Sequence, residues 1–465
     1  MISVIMKKLK LKNLYLASAL VTLFASCGSN SQTTTVQTIE KIVSDSSKLE
    51  VPTVVILMNW DNYAENDPSL WHDKIFDMQH NSVNRWYGDA TAGRVSIVPV
   101  AESDGVADDG VISVSMGSDR IDRSLDSGFD YDTKSFRDID ITKAITSDSV
   151  NDAIDFSLYD RDQNGIIEYS ELQIIFIVAG GEMAYGDRED SLWAHSWNYE
   201  DSSVDAPVVD GVKLMYFSGD LKTSGSYAAF GATHSLGNDD EHKATIGIIA
   251  HEMGHAMLNL IDLYDISYQG SGIGYFDIMG GGTWAQSEIN EYAGESPTQF
   301  SAYNKLEVYP STKSIESSIA TSITLKCSED EMIKLTTFRE NEYFLVGCRD
   351  TRRAISDAGF MSADSRFTTD RLFGVLYHID STKETNEEGG SQTYFNHYRV
   401  AVVQKSYKET MATSQIKANF EDVFVVGDTM DSRHTMLYDG AYSNYTLHID
   451  TQDNESRTMT FTIKH

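Results

Sequence analysis

Only three cysteines occur in 465 residues. That excludes a disulfide-stapled miniprotein and any multi-cysteine zinc cluster. Positive charge is also scarce: 37 Lys+Arg stand against 70 Asp+Glu, a formal net charge of −33. A surface this acidic repels a polyanion, so nucleic acid is not an expected partner. The acidity suits solubility and hard cations instead. The apolar run over residues 14–25 is too short for a membrane span and has the length of a signal-peptide core. What is present, 41% hydrophobic and 11% aromatic residues, is enough for a real core, and the length points to more than one domain.

Lys7, Lys8, Lys10 and Lys12 precede that run, which ends at Leu23-Phe24-Ala25-Ser26-Cys27. Small residues before a cysteine, with Gly28 and Ser29 after it, resemble a bacterial lipoprotein signal in which Cys27 becomes the lipidated first residue. An ordinary cleaved signal peptide is the alternative. Either way the mature protein is expected outside the cytoplasm, and with the lipoprotein signal it is a cell-envelope lipoprotein touching the membrane only through its lipid anchor. Residues 1–27 are then the signal, and residues 28–50, rich in Ser, Thr and Gln, read as a flexible tether.

Folded sequence is expected from Val51, where Val51-Pro52-Thr53-Val54-Val55-Ile56-Leu57-Met58 reads as a buried strand. Apolar spacing predicts a helix over residues 69–86, and a strand follows over 94–98 after Gly93. Residues 102–140, dominated by Asp, Gly and Ser, read as loop with short strands. From residue 311 onward short β runs separated by turn residues alternate to the end. The expected organisation is a first folded unit over 51–310 and a β-rich unit over 311–465.

The strongest chemical signal is His251-Glu252-Met253-Gly254-His255. Asn238 and Glu241 are spaced as a helix N-cap and its partner, and Ile246, Ile249, Met253 and Met257 form an apolar stripe, which predicts a helix over residues 239–258. On it, His251 and His255 share a face and can offer two ring nitrogens to one Zn²⁺. Glu252 is then placed to take a proton from a water at that metal. Zinc needs a third protein ligand. If Asn259 ends the helix in a left-handed conformation, the chain turns back and Asp262 faces the metal, with Asp265 as the alternative. Further on, Met279 sits in Asp277-Ile278-Met279-Gly280-Gly281-Gly282-Thr283-Trp284, similar to the Met-turn beneath the metal of metzincins.

These motifs together resemble the M6 family of metallopeptidases, the immune inhibitor A group. Its motif runs HExGHxLGxPDxYD and is followed by a DxM-type turn ending in Gly and Trp. Ser82-Val83-Asn84-Arg85-Trp86-Tyr87, Leu192-Trp193-Ala194-His195-Ser196-Trp197, Asn341-Glu342-Tyr343-Phe344-Leu345-Val346 and Gly374-Val375-Leu376-Tyr377-His378-Ile379-Asp380 resemble further family segments, so the likeness runs from Val51 to at least Val426. One departure stands out: the family aspartate falls ten residues after the first histidine, whereas Asp262 falls eleven after His251, with Met257-Leu258-Asn259 in place of the usual glycine. One extra helical residue turns the exit by about 100°. The resemblance implies an α+β, zincin-like catalytic domain with a mixed sheet and an active-site helix, followed by the β-rich unit. It also implies a zinc-dependent endopeptidase acting on proteins or peptides.

A second constellation is Asp160-Arg161-Asp162-Gln163-Asn164-Gly165-Ile166-Ile167-Glu168-Tyr169-Ser170-Glu171. Asp160, Asp162 and Asn164 fall at loop positions 1, 3 and 5, Ile166 offers a backbone carbonyl at 7, and Glu171 closes at 12, as in a calcium loop. The apolar run after Glu171 reads as a strand and not a second helix, which favours a single structural Ca²⁺ site. A metal-free Asx turn uses the same residues.

Other residues carry weaker signals. His195, between Trp193 and Trp197, either supports the active-site wall or packs structurally. His234, His242, His378 and His397 lack chelating spacing. Tyr264 and Tyr275 either donate to a developing oxyanion or pack in the shell of the site. Cys327 and Cys348 lie in β-like segments and can pair after export. The competing reading is a surface-tethered calcium-binding scaffold whose shifted aspartate leaves the zinc site incomplete; the intact Glu252 argues against it. No feature read here bears on oligomeric state.

Overall fold

The computed structural model describes residues 37–465 apart from 44–46, 66, 80, 118–135, 187–190, 200–204, 237–240, 289–290, 309–312, 318–320, 353–356, 368–370, 387–391 and 394. The signal segment with Cys27, the expected cap Asn238 and the acidic pair Glu387-Glu388 lie outside the described residues. Among the described residues no helix is long and apolar enough to cross a membrane.

The strands, numbered along the chain, begin with β1 (Ile39–Val43), β2 (Leu49–Asn59), β3 (Val95–Pro99), β4 (Val111–Ser115) and β5 (Gln173–Glu182). Then come β6 (Ser191–Leu192), β7 (His195–Trp197), β8 (Val208–Val209), β9 (Val212–Lys213), β10 (Tyr227–His234) and β11 (His242–Lys243). The first sheet runs β11-β10-β5-β2-β3, with β4 on β2, β6 on β5 and β7 on β10. Its centre is parallel: β2 pairs with β3, β4 and β5, and β5 with β10, in parallel register. Strands covered on both faces read as continuous apolar runs, which is why β2 and β5 show no polar alternation. Parity sorts their side chains: Val55, Leu57, Ile175, Ile177, Ala228 and Phe230 join the core shared with the helix Ile246–Leu258. Their neighbours Val54, Ile56, Met58, Ile174, Phe176 and Ala229 enter a second core on the opposite face.

The remaining strands are β12 (Lys313–Ser317), β13 (Thr321–Lys326), β14 (Glu331–Leu335), β15 (Glu342–Asp350), β16 (Leu372–Asp380), β17 (Val400–Val403), β18 (Thr429–Met430), β19 (Thr446–Asp453) and β20 (Thr458–Lys464). They form a six-stranded antiparallel sheet, β12-β1-β14-β15-β16-β17, and a four-stranded one, β13-β20-β19-β18. The six-stranded sheet is buried on both sides. Phe344, Val346 and Leu376 face the smaller sheet, while Leu345, Val375 and Tyr377 belong to the same core as the helix Ile246–Leu258. Cys327 and Cys348 form a disulfide.

Three expectations are corrected. The tether read over 28–50 contains β1, which pairs with both β12 and β14. The segment has few apolar residues, but Ile39 and Ile42 point to opposite faces of the sheet and fill one core each. The helix expected over 69–86 is two, Pro68–Phe76 and Val83–Ala90, separated where Asn81 takes a positive φ. The helix expected from residue 239 begins at Ile246 with Thr245 as N-cap, because His242 and Lys243 pair with β10 as β11. Glu241 therefore lies before β11 rather than in a first helical turn.

Candidate metal centre

The helix Ile246–Leu258 packs its apolar stripe on the sheet and ends at Asn259, whose φ of 51° and ψ of 36° are left-handed. Asn tolerates this conformation better than most residues. The one-residue insertion is thus absorbed by one more helical residue before the turn. The Asn259 N–H bonds the His255 carbonyl at 3.0 Å, the Leu260 N–H bonds that of Gly254 at 3.1 Å, and the chain doubles back toward the helix.

Three ligand-type side chains converge there. His255 Nε2 lies 3.2 Å from His251 Nε2, and Asp262 Oδ1 lies 3.1 Å from the former and 3.3 Å from the latter. Ligands about 2.0–2.1 Å from one ion in a tetrahedral array sit roughly 3.3–3.4 Å from one another. Both imidazoles are oriented from behind: His251 Nδ1 lies 2.9 Å from the Ile278 carbonyl, and His255 Nδ1 lies 2.6 Å from that of Leu260. A carbonyl can only accept, so each Nδ1 carries the proton and each Nε2 presents a lone pair to the common point. Tyr264 donates to the second oxygen of Asp262 at 3.1 Å, leaving Oδ1 to face the histidines.

The electrostatics match a cation site. Burial alone would raise the Asp262 carboxyl, but the two imidazoles overcome it and hold it far below the usual carboxylate range. Burial opposes charging of His255, yet Asp262 outweighs it and lifts the ring to about 9. Asp262 thus favours positive charge at the point where the three side chains meet. Glu252 is buried on the same helix, and burial raises its carboxyl while the two histidines pull it down. The Ser196 backbone N–H bonds to it, so β7 supplies one wall.

Asp265 is not brought to this point. Its oxygens accept from the Ser267 N–H (2.9 Å), the Ser267 hydroxyl (2.6 Å), the Gly270 N–H (2.7 Å) and the Tyr398 hydroxyl (3.1 Å). It shapes the loop after Asp262 and has no lone pair directed at the histidines. Met279 is fully buried beneath the helix, so close that a Cβ at Gly254 would stand 2.7 Å from its Sδ. The Met279 carbonyl accepts from the Leu263 N–H at 2.7 Å, tying the turn to the loop that carries Asp262. Tyr275 lines the cleft and bonds the Trp284 carbonyl at 3.3 Å, whereas His195, in β7, has Nδ1 2.9 Å from the Trp193 carbonyl and Nε2 3.3 Å from the Tyr227 hydroxyl.

Residues 123–309 match the family model of the immune inhibitor A peptidase M6 catalytic domain. The resemblance carried by the motifs is therefore borne out over residues 123–309, and His251, Glu252, His255 and Asp262 all lie within that span. Metallopeptidases make up this family, so a metal-dependent peptidase acting on proteins or peptides is the activity the match implies. No curated protein matches the chain. The M6 stretch does not contain its whole sheet: β2, β3 and β4 precede residue 123. Despite its shift in the sequence, Asp262 lies within reach of both histidines, which counts against the premise of the inactive-scaffold reading.

The second constellation also assembles. Carboxylate oxygens of Asp160, Asp162 and Glu171 lie within 4.8 Å of one another. Gly165 has a φ of 82°, and its N–H bonds Asp160 Oδ2 at 2.9 Å. Asn164 Oδ1 accepts from the Ile166 N–H at 2.8 Å, and Glu171 folds back onto the Arg161 N–H at 2.7 Å. The strand β5 follows directly, with no second helix.

Sequence reasoning missed two supports. Thr283 donates to the Ile278 carbonyl at 2.5 Å and lies 3.1 Å from His251 Nδ1; its place in the Gly-rich turn was the available signal. Glu182, at the end of β5, accepts N–H bonds from Ala184, Ala194 and Gly231 at 2.8–3.0 Å, joining the end of β5, the β6–β7 connection and β10. Burial raises its carboxyl to about 8 against those donors. No spacing in the sequence marks Glu182.

Proposed function

We propose that the protein is a zinc-dependent endopeptidase that works outside the cytoplasm, with His251, His255 and Asp262 as metal ligands and Glu252 as general base. The observation that carries this reading is the convergence of two Nε2 lone pairs and one carboxylate oxygen, at near-tetrahedral spacing, beside a buried glutamate. Imidazole and carboxylate donors in this number suit Zn²⁺ and leave its fourth position open. Bound there, the metal supplies Lewis acidity toward the scissile carbonyl and acidity to the attacking water. Glu252, with its proton affinity raised by burial, accepts the proton of that water and hands it to the leaving amine. Tyr264 holds Asp262 in place, and Ile278, Leu260 and Thr283 hold the imidazoles. The substrate binds in a cleft of about 490 Å³ that has His251 and Glu252 in its wall.

The loop over residues 160–171 is read as a structural Ca²⁺ site, supported by its three converging carboxylates and the Gly165 turn. Export and lipidation at Cys27 rest on the leader; the Cys327–Cys348 disulfide agrees with an oxidising compartment. Membrane contact is confined to the lipid.

The test is metal content and casein hydrolysis of the chain lacking residues before Ser29, beside its Glu252→Gln variant. Zinc and calcium at unit stoichiometry are expected in both, with kcat lower by about 10³-fold in the variant, within the span of general-base effects. A chain that binds no zinc, or a variant as active as its parent, would overturn the reading.

A further inference from the structure

The cleft is not closed by the M6-matched stretch alone: Gln415, Ile416 and Lys417, from the C-terminal unit, line it together with His251 and Glu252. That strap is held through its backbone and the Gln415 side chain. The Ser271 hydroxyl donates to the Ser414 carbonyl at 2.8 Å, Gln415 Nε2 to the Gly270 carbonyl at 2.5 Å, and the Tyr275 N–H to the Lys417 carbonyl at 2.8 Å. Gly274 permits the approach, since a Cβ there would stand 2.4 Å from the Lys417 carbonyl oxygen. The Lys417 side chain is exposed, with Nζ 5.4 Å from the centroid of the Tyr275 ring, itself a cleft wall.

Among the described residues lining the cleft Lys417 is the one Lys or Arg, and the other walls are largely aromatic or glycine. Of the two carboxylates there, Asp265 is saturated by four donors and Glu252 is assigned to the water. The chain as a whole carries a charge of −33 and repels acidic substrates at long range. A cation lining the cleft opposes that locally, where contacts decide which peptide stays bound.

We propose that Lys417 is a specificity-determining residue that pairs with a substrate carboxylate close to the scissile bond. This rests on the peptidase reading above. The carboxylate is either an Asp or Glu side chain or the C-terminus of a short peptide, and amidation separates the two.

The experiment uses quenched fluorescent peptides with Glu, Gln or Lys at each position flanking the scissile bond, and short peptides with free or amidated C-termini. Turnover is measured with the zinc-loaded chain, and binding of the same peptides to the Glu252→Gln variant is followed by anisotropy. The expected result is a Glu-over-Lys ratio of about tenfold in kcat/KM, inverted in Lys417→Glu, lost in Lys417→Gln and restored in Lys417→Arg. A Lys326→Glu control makes the same charge change on β13 and is expected to leave the ratio alone. If the preference tracks a free C-terminus instead, Lys417 binds the terminal carboxylate. A ratio that is absent in turnover and binding, or that survives Lys417→Glu, overturns the proposal and leaves the peptidase standing. A Lys417-dependent preference in binding with no turnover by the parent chain overturns the peptidase reading and keeps the pocket.

Discussion

His234 shows how one buried side chain sets the response of the fold to acid. It is fully buried, its ring stacks on Tyr185 with centroids 4.2 Å apart, and its Nδ1 accepts the N–H of Thr245, the N-cap of the metal-site helix. Burial, reinforced by His242 and Lys74, lowers the ring from 6.5 to about 3. The unfolded chain therefore binds a proton between pH 6.5 and 3 that the folded chain refuses, so stability falls as the pH is lowered through that window. The cation would also face the positive end of the helix. Urea unfolding across this window should show a loss of a few kcal/mol that His234→Phe largely removes; an unchanged slope in the variant would exclude His234 as the cause.

At the scale of the element, the turn at Asn259 decides whether the extra residue in the motif is harmless. A non-glycine side chain at a φ of 51° is strained, and Asn bears it better than Ala. Asn259→Ala is expected to lower stability by about 1 kcal/mol and to weaken zinc binding, because the same turn aims the Leu260 carbonyl at His255 and brings Asp262 round. Asn259→Gly should hold both near the parent values. Thermal melts and a competitive chelator titration measure the pair; equal behaviour of the two variants would show that the left-handed turn is not what places Asp262. The histidine pair was legible in the sequence because its i, i+4 spacing is a property of any helix. The start of that helix was not, because the pairing of His242 and Lys243 with β10 is a contact between segments.

At the scale of the molecule, the β-rich unit is not an appendage. Arg349 of β15 is buried and reaches Asp357 at 3.0 Å, the Gln299 carbonyl at 3.4 Å and the Phe276 carbonyl, three residues before Met279. Leu345, Val375 and Tyr377 share one core with Met253 and Met279. Arg349→Met should destabilise the whole chain by about 3–5 kcal/mol, since it leaves Asp357 buried beside an apolar side chain. One cooperative unfolding transition is expected, seen alike by far-UV circular dichroism and tryptophan fluorescence. Two separable transitions would show that the halves fold independently.

By itself the sequence determined what local periodicity and side-chain chemistry can determine: the buried strands β2 and β5, the paired histidines and their glutamate, the Met-turn and the acidic loop at 160–171. Helical spacing and strand alternation are set by backbone geometry within a few residues, so they can be read without knowing the fold. Only the tertiary structure decided between Asp262 and Asp265, because the choice depends on where a turn sends each carboxylate and which donors already occupy it. It alone drew β1 out of a polar leader into a sheet with β12 and β14. It alone brought Lys417 into one cleft with Glu252 across more than a hundred residues of chain. Such contacts come from burying apolar faces of distant segments together, and no local pattern records which face will meet which.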